Sequence, residues 1–174
     1  MLFIQAMIKF PYNIAIIMDG NRRWAEKAGV SIFTGHKKGA QNLKNIVKSC
    51  SNIDVKELTV FAFSTENWNR LPLEVNGLLK LIKMFLKSEI AELDANDVVF
   101  KIIGNRNQFS KAHLELFESS ENLTRRNKGM IFNVCLNYGG EQDITSAVRS
   151  IAMEVENNKL LVRDINETIV RNNL

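Results

Sequence analysis

Cysteine is scarce in this 174-residue chain: Cys50 and Cys135 stand far apart in sequence, with no histidine or cysteine at metal-ligand spacing beside either. That excludes a disulfide framework and a zinc motif, and leaves two reduced, buried, small apolar side chains in a cytosolic protein. Proline is as rare, at two residues, and no Pro/Gly/Ser-rich linker, repeat or low-complexity tract divides the chain. One domain spanning 1–174 is therefore expected. Long hydrophobic runs are missing as well. The apolar start, MLFIQAMIKF, is too short for a membrane span and carries its lysine behind the apolar stretch, the wrong order for a signal peptide; Met7 is an alternative start. There is also no polybasic block. Lys and Arg number 23 against 19 Asp and Glu, and the net charge of +4 is spread among interleaved acids. With no RNA-binding aromatic signature, this pattern argues against nucleic acid, and it suits an anionic small molecule or an anionic membrane surface.

What the chain does have is ordinary for a globular protein: 45% hydrophobic and 24% charged residues, in a length that buries a core without staples. Short apolar or β-branched runs at 12–18, 57–63, 98–104 and 130–136 read as buried strands. Segments with helical spacing lie at 36–51, 73–95, 109–126 and 143–156, with a further helical stretch over 163–174. Alternation of this kind predicts an α/β domain with a mostly parallel central sheet flanked by helices.

In open sheets of this type ligands bind beyond the carboxyl ends of the strands, and the polar clusters fall there. They are DGNRRW (19–24), STENWNR (64–70), GN (104–105) and NYGGEQD (137–143). In the first, Gly20 allows a tight turn out of the strand. The amides of Asn21, Arg22 and Arg23 then open a short helix as an anion site, and both arginines add forks suited to phosphate oxygens. Asp19 among these donors makes sense if Mg²⁺ bridges it to the same phosphates. A cap role with a salt bridge to Arg23 also accounts for Asp19 taken alone. Trp24 and Trp68 are not turn formers; they serve either the site or the seam between helix and sheet. A second anion-facing element is GHKKGAQ (35–41), read as a glycine turn with His36 just ahead of a helix carrying Lys37 and Lys38; lysines at a helix start are also commonly only solvated.

IAIIMDGNRRWA, the GHKKGA turn, FAFSTENWNR and NYGG, in this order, resemble the cis-prenyltransferase family, which includes the isoprenyl transferases and undecaprenyl diphosphate synthases. The resemblance covers nearly the whole chain. It implies condensation of isopentenyl diphosphate onto an allylic diphosphate of the farnesyl type, making a cis-polyprenyl diphosphate carrier lipid. It further implies that Asp19 holds Mg²⁺ against the diphosphate, and that Gly20, Asn21, Arg22, Arg23, Trp24 and His36 bind the allylic diphosphate. Ser64, Thr65, Glu66, Asn67, Trp68 and Arg70 would lie near the reacting carbons and diphosphates, with Asn67 or a neighbour assisting proton loss.

In the segment 71–93, Leu78, Leu79, Ile82, Phe85 and Leu86 make an apolar stripe that Leu81 and Met84 widen. Periodicity alone fits plain core; the resemblance implies the wall of a product tunnel. Three departures stand out. Ile32 falls where many family members place a phosphate-gripping arginine, and Glu141 where NYGG is commonly followed by arginine. The family's arginine-bearing RxG-type motif, which binds isopentenyl diphosphate and helps build the homodimer, is not found in these 174 residues. The reading is a shortened member whose allylic half-site survives and whose turnover is impaired; the alternative is a non-catalytic allylic-diphosphate-binding accessory subunit or the product of a decaying gene. A cytoplasmic protein drawn to the membrane surface by its lipid product is expected.

Overall fold

The computed structural model describes residues 11–174. The apolar start of the chain, with its lysine and Met7, lies outside the described residues. Four strands, β1 (Asn13–Ile17), β2 (Glu57–Ser64), β3 (Val99–Ile103) and β4 (Ile131–Tyr138), form one sheet in the order β1-β2-β4-β3. β1 pairs with β2 in parallel, Ile14 opposite Leu58 and Ile16 opposite Val60. β3 pairs with β4 in parallel, Phe100 opposite Phe132. The α/β architecture with a parallel central sheet is as the alternation of patterns predicts.

The helices are α1 (Asn21–Lys27), α2 (Ile32–Asn52), α3 (Pro72–Ala95), α4 (Lys111–Thr124), α5 (Gly140–Glu156) and α6 (Glu167–Asn173). A 3₁₀ turn, Thr65–Asn69, joins β2 to α3, and another, Val162–Asp164, precedes α6. The helical stretch expected over 163–174 is thus a 3₁₀ turn and a seven-residue helix, because Asn166 stops the first and caps the second by accepting from the Thr168 and Ile169 amides.

Two compact units divide the chain. In the larger, which ends at Asn137, the core gathers on β2, β3, β4 and the inner faces of α2, α3 and α4. Phe63, Phe100, Phe117 and Phe132 are its largest fully buried side chains; each contributes about 1.5–3 kcal/mol by leaving water. β4 is buried along its six middle residues, as a central strand should be. The first strand is a correction: β1 is an edge strand, not a buried one. Ile14 and Ile16 face the core while Asn13, Ala15 and Ile17 face outward, Ile17 being 75% exposed. Its apolar residues run on both faces, so period could not reveal the open side. The smaller unit, Tyr138–Leu174, holds α5 packed with α6; its Tyr138 hydroxyl donates to Asp143.

α2 begins earlier than expected. Ser31 caps it, its hydroxyl accepting from the Thr34 amide at 3.1 Å. Gly35 and His36 therefore lie inside the first turns, not in a preceding turn as the GHKKGA pattern suggests. The glycines serve another purpose. A Cβ on Gly35 would run into the Asn21 carbonyl oxygen and come within 2.9 Å of the Ala25 methyl, and one on Gly39 would meet the Asn21 carboxamide. Gly35 and Gly39, one helical turn apart, form a shallow seat in which the start of α1 rests against α2.

Candidate functional site

The chain leaves β1 at Met18, and Gly20 takes a left-handed conformation (φ 90°) that an L side chain resists, turning it into α1. The Trp24 amide is the first to bond within α1, to the Gly20 carbonyl at 2.8 Å. The amides of Asn21, Arg22 and Arg23 therefore have no partner inside the helix. Asp19 is exposed. One of its oxygens accepts from the Gly20 amide at 2.6 Å and the other from the Arg23 guanidinium at 2.7 Å. Those two contacts, the amide first, hold its carboxyl below the usual carboxylate range. The salt bridge weighed for Asp19 is present, while the helix cap position itself belongs to Gly20.

Glu74, in the first turn of α3, is the residue that sequence reasoning missed. Its side chain is only 9% exposed and faces two guanidinium groups and an imidazole: Arg70 donates to it at 2.7 Å, His36 Nε2 lies at 3.4 Å and Arg22 at 3.9 Å. Burial pushes the Glu74 carboxyl up, but the Arg70 hydrogen bond and charge, helped by His36, outweigh this and leave it below its ordinary value. Burial pushes the His36 imidazole down more strongly than Glu74 pulls it up. Arg22 also pairs with Glu26 at 3.1 Å. Three residues from different stretches of sequence, Arg22 of α1, His36 of α2 and Arg70 ahead of α3, are thereby gathered on one carboxylate.

Asn67 is fixed differently. Its carboxamide donates to the Ser64 hydroxyl at 2.9 Å and accepts from the Ser64 amide at 3.3 Å, closing the 3₁₀ turn on itself. Thr65 donates to Glu66, an exposed carboxylate held low first by the Ser64 hydroxyl. Trp68 packs edge-on against Phe63 and Phe109, with ring centres at 5.0 and 5.7 Å, and its indole N–H donates to the Asn137 carboxamide at 2.8 Å. Asn137, buried and left-handed (φ 51°), in turn donates to the Asn105 carbonyl. The GN and NYGG clusters thus meet in a structural latch that fixes Trp68 at the seam of the fold. Trp24 is about half exposed on α1.

Between α2, α3 and the sheet opens a cleft of about 800 Å³, its mouth included. Asn21, His36, Asn67 and Arg70 form its polar end, and the rest of its wall is apolar, with Leu78, Leu81, Ile82, Phe85 and Leu86 from α3. Of the stripe read from the sequence, Leu79 packs on the core instead, and Met84 is 45% exposed and widens nothing. Asp19, Gly20, Arg22, Arg23, Trp24, Ser64, Thr65, Glu66 and Trp68 lie outside the cleft wall itself, although Arg22 reaches its rim through Glu74. Ile32 opens α2 half buried, and Glu141 is exposed in the first turn of α5.

Among the described residues no three His, Cys, Asp or Glu side chains gather as a metal cluster. Mg²⁺ does not require one, since it is commonly held by one or two carboxylates together with substrate phosphates and waters. The exposed, ionised Asp19 fits that role.

The undecaprenyl diphosphate synthase family model matches residues 17–174. The chain is 44% identical over 166 residues to an isoprenyl transferase of Prochlorococcus marinus, covering 95% of this chain and 61% of that protein. It is 41% identical over 164 residues to a farnesyl-diphosphate-specific ditrans,polycis-undecaprenyl-diphosphate synthase of Vibrio parahaemolyticus, covering 94% and 65%. The chain thus spans less than two thirds of either relative's length. Among solved structures, lavandulyl diphosphate synthase from Lavandula x intermedia, in complex with dimethylallyl diphosphate, superposes with a TM-score of 0.90 at 36% identity, over 94% of this chain and 70% of that one.

Proposed function

The chain belongs to the undecaprenyl diphosphate synthase family of prenyltransferases, and we propose that it condenses isopentenyl diphosphate with an allylic diphosphate of the farnesyl type to build a cis-polyprenyl diphosphate. The observation that carries this reading is the cleft: a polar end lined by Asn21, His36 and Arg70 opening into a long aliphatic wall. Such a shape suits a ligand with an anionic head and a hydrocarbon tail.

The head group binds where Arg22, His36 and Arg70 converge, with the first-turn amides of α1 as further donors. When the allylic C–O bond breaks, its electron pair leaves with the diphosphate, and donors already aimed at those oxygens favour departure. Asp19 would hold Mg²⁺ at the same diphosphate, where the ion supplies Lewis-acid stabilisation of the leaving charge. The isopentenyl double bond then attacks the allylic carbon, and a proton passes from the adjacent carbon to an oxygen of the departed diphosphate, which sets the new double bond. A carboxamide cannot hold that proton at neutral pH, so Asn67, locked to Ser64, orients the condensing unit rather than accepting from it. Ser64, Thr65, Glu66 and Trp68 support this turn. The proposal extends to a homodimer that works at the cytoplasmic membrane surface and releases its lipid there, as the family resemblance implies; among the described residues no helix is long and apolar enough to cross a membrane.

The amphipathic reading is tested by calorimetry. Farnesyl diphosphate should bind at least tenfold more tightly than either inorganic pyrophosphate or farnesol alone. Equal affinity for pyrophosphate and farnesyl diphosphate would remove the cleft from the reaction.

A further inference from the structure

α3 carries apolar side chains on its solvent face as well as on its inner one. At 3.6 residues per turn, Leu73, Gly77, Lys80, Met84 and Lys87 fall within about 80° of one another around the helix axis. Leu73 is 86% exposed, Met84 about half, and Leu71, at the cap of the helix, is exposed as well. α2 lies alongside in the same direction. Its Phe33 ring, still partly in solvent, rests on Gly77, where a Cβ would come within 3.3 Å of it, and Lys44, about three turns on, reaches Glu89 and Glu92. Lys37, one turn past Phe33, shares that side of α2.

Scattered exposed leucines are ordinary on a protein surface; a stripe of apolar side chains set between unpaired cations is not. The acids of α3 are all engaged: Glu74 with Arg70 and His36, Glu89 and Glu92 with Lys44, Asp94 with the Asn127 carboxamide. Lys37, Lys80 and Lys87 pair with no carboxylate among the described residues. The face therefore offers apolar tips and free positive charge together. A protein partner calls for an apolar centre inside a polar rim. Here lysines and apolar side chains alternate along one line, which suits an element lying in a headgroup layer, its apolar tips in the acyl boundary and its lysine stems reaching back to phosphates.

We propose that this face of α2 and α3 docks on an anionic lipid bilayer, Phe33, Leu73 and Met84 entering the acyl boundary while Lys37, Lys80 and Lys87 lie against the headgroups. The proposal rests on the reading of the cleft as a prenyl site, and it names the surface that brings the site to its substrate. Leu71 and Leu73 flank Arg70 and Glu74 in sequence, so docking sets the polar mouth at headgroup level. An allylic diphosphate held in a bilayer keeps its charged end at that level, and it passes to Arg22, His36 and Arg70 without its tail crossing water.

The test is flotation with vesicles of phosphatidylcholine alone and of phosphatidylcholine mixed with phosphatidylglycerol. The unaltered protein should bind the mixed vesicles about tenfold more tightly than the neutral ones, and salt should weaken that binding. Two double variants, Leu73→Ser with Met84→Ser and Lys80→Gln with Lys87→Gln, should each lose about tenfold on mixed vesicles, and the lysine pair should also remove most of the preference for phosphatidylglycerol. All four side chains are exposed, so melting temperatures should stay unchanged. Leu123→Ser, at an exposed leucine of α4, should bind as its parent does. No binding to mixed vesicles, or losses no larger than that of Leu123→Ser, overturns the proposal. So does a double variant that keeps vesicle binding but lowers the mass seen in sedimentation, which would make the face a protein interface. Farnesyl diphosphate titrated without vesicles keeps two failures apart. If it binds parent and variants alike while vesicles do not, the docking face falls and the prenyl cleft stands; if vesicles bind and farnesyl diphosphate does not, the cleft reading falls and the face stands.

Discussion

Replacing Glu74 with Gln keeps the shape of the side chain and one acceptor oxygen, and removes the charge on which Arg22, His36 and Arg70 converge. The main loss is the charge-assisted part of the Arg70 bond at 2.7 Å. Hydrogen bonds to charged groups contribute about 1.5–3 kcal/mol, and the Arg70 side chain is 36% exposed, which favours the low end. Arg22, 3.9 Å away and 58% exposed, adds little, and a His36 imidazole kept neutral by burial adds little more. The expected loss is about 1.5 kcal/mol, a fall in Tm of about 3–6 °C for a chain of this size, measured by calorimetry or urea melts at pH 7. The pH dependence gives a second reading. Because the Glu74 pKa is lowered on folding, the unfolded chain binds the proton more readily. The stability it supplies is present above its ordinary carboxylate value and is lost as pH falls through the lower folded one. The Gln variant should lose that part of the acid slope. A variant as stable as its parent at pH 7, with the same slope below pH 5, would refute Glu74 as the keystone of the cluster.

Three further outcomes follow from the same geometry. Asp19→Ala should abolish metal-dependent turnover while leaving the melting temperature nearly unchanged, because its ion pair with Arg23 is fully solvated; unchanged activity would end its metal role. Gly35→Ala should destabilise the protein by about 1–3 kcal/mol, since the new methyl collides with the Asn21 carbonyl and α1 must lift from α2; urea melts check it, and a neutral result would deny that the glycines seat α1. Ile32→Arg should tighten farnesyl diphosphate binding in calorimetry by adding a guanidinium at the start of α2, and an unchanged affinity would count against a phosphate contact at that position.

The strands and the long helices were legible because their residues carry the signal locally: β-branched runs bounded by polar turns, and apolar spacing along α3. The first strand misled because Ile16 and Ile17 are equally apolar and only the partner sheet decides which one is covered. The beginning of α2 was set by a single hydroxyl, Ser31, three residues ahead of the amide it caps. GHKKGA looked like an anion-binding turn because glycine is read first as freedom of the backbone. Here Gly35 and Gly39 are selected by what presses on them, the start of α1; their four-residue spacing puts both on one helix face, but nothing in it names the segment that packs there. At the site, Asp19, Asn21, Arg22, Arg23, Asn67 and Arg70 sit in motifs whose charge and turn chemistry attract notice. Glu74 lies four residues after Arg70 and reads as an ordinary helix-start acid until His36 and Arg22 are brought to it from elsewhere in the chain. Asn137 was noticed in its motif, but its work, holding Trp68 to Asn105, is long-range and could only be seen in three dimensions.

The central claim is that this cleft performs prenyl transfer, and single-turnover condensation tests it most directly. Purified chain in excess over farnesyl diphosphate, with Mg²⁺ and radiolabelled isopentenyl diphosphate, should yield label in an extended prenyl diphosphate, and Asp19→Ala should yield none. Farnesyl diphosphate bound at saturation with no label incorporated, across a range of isopentenyl diphosphate concentrations, would contradict it.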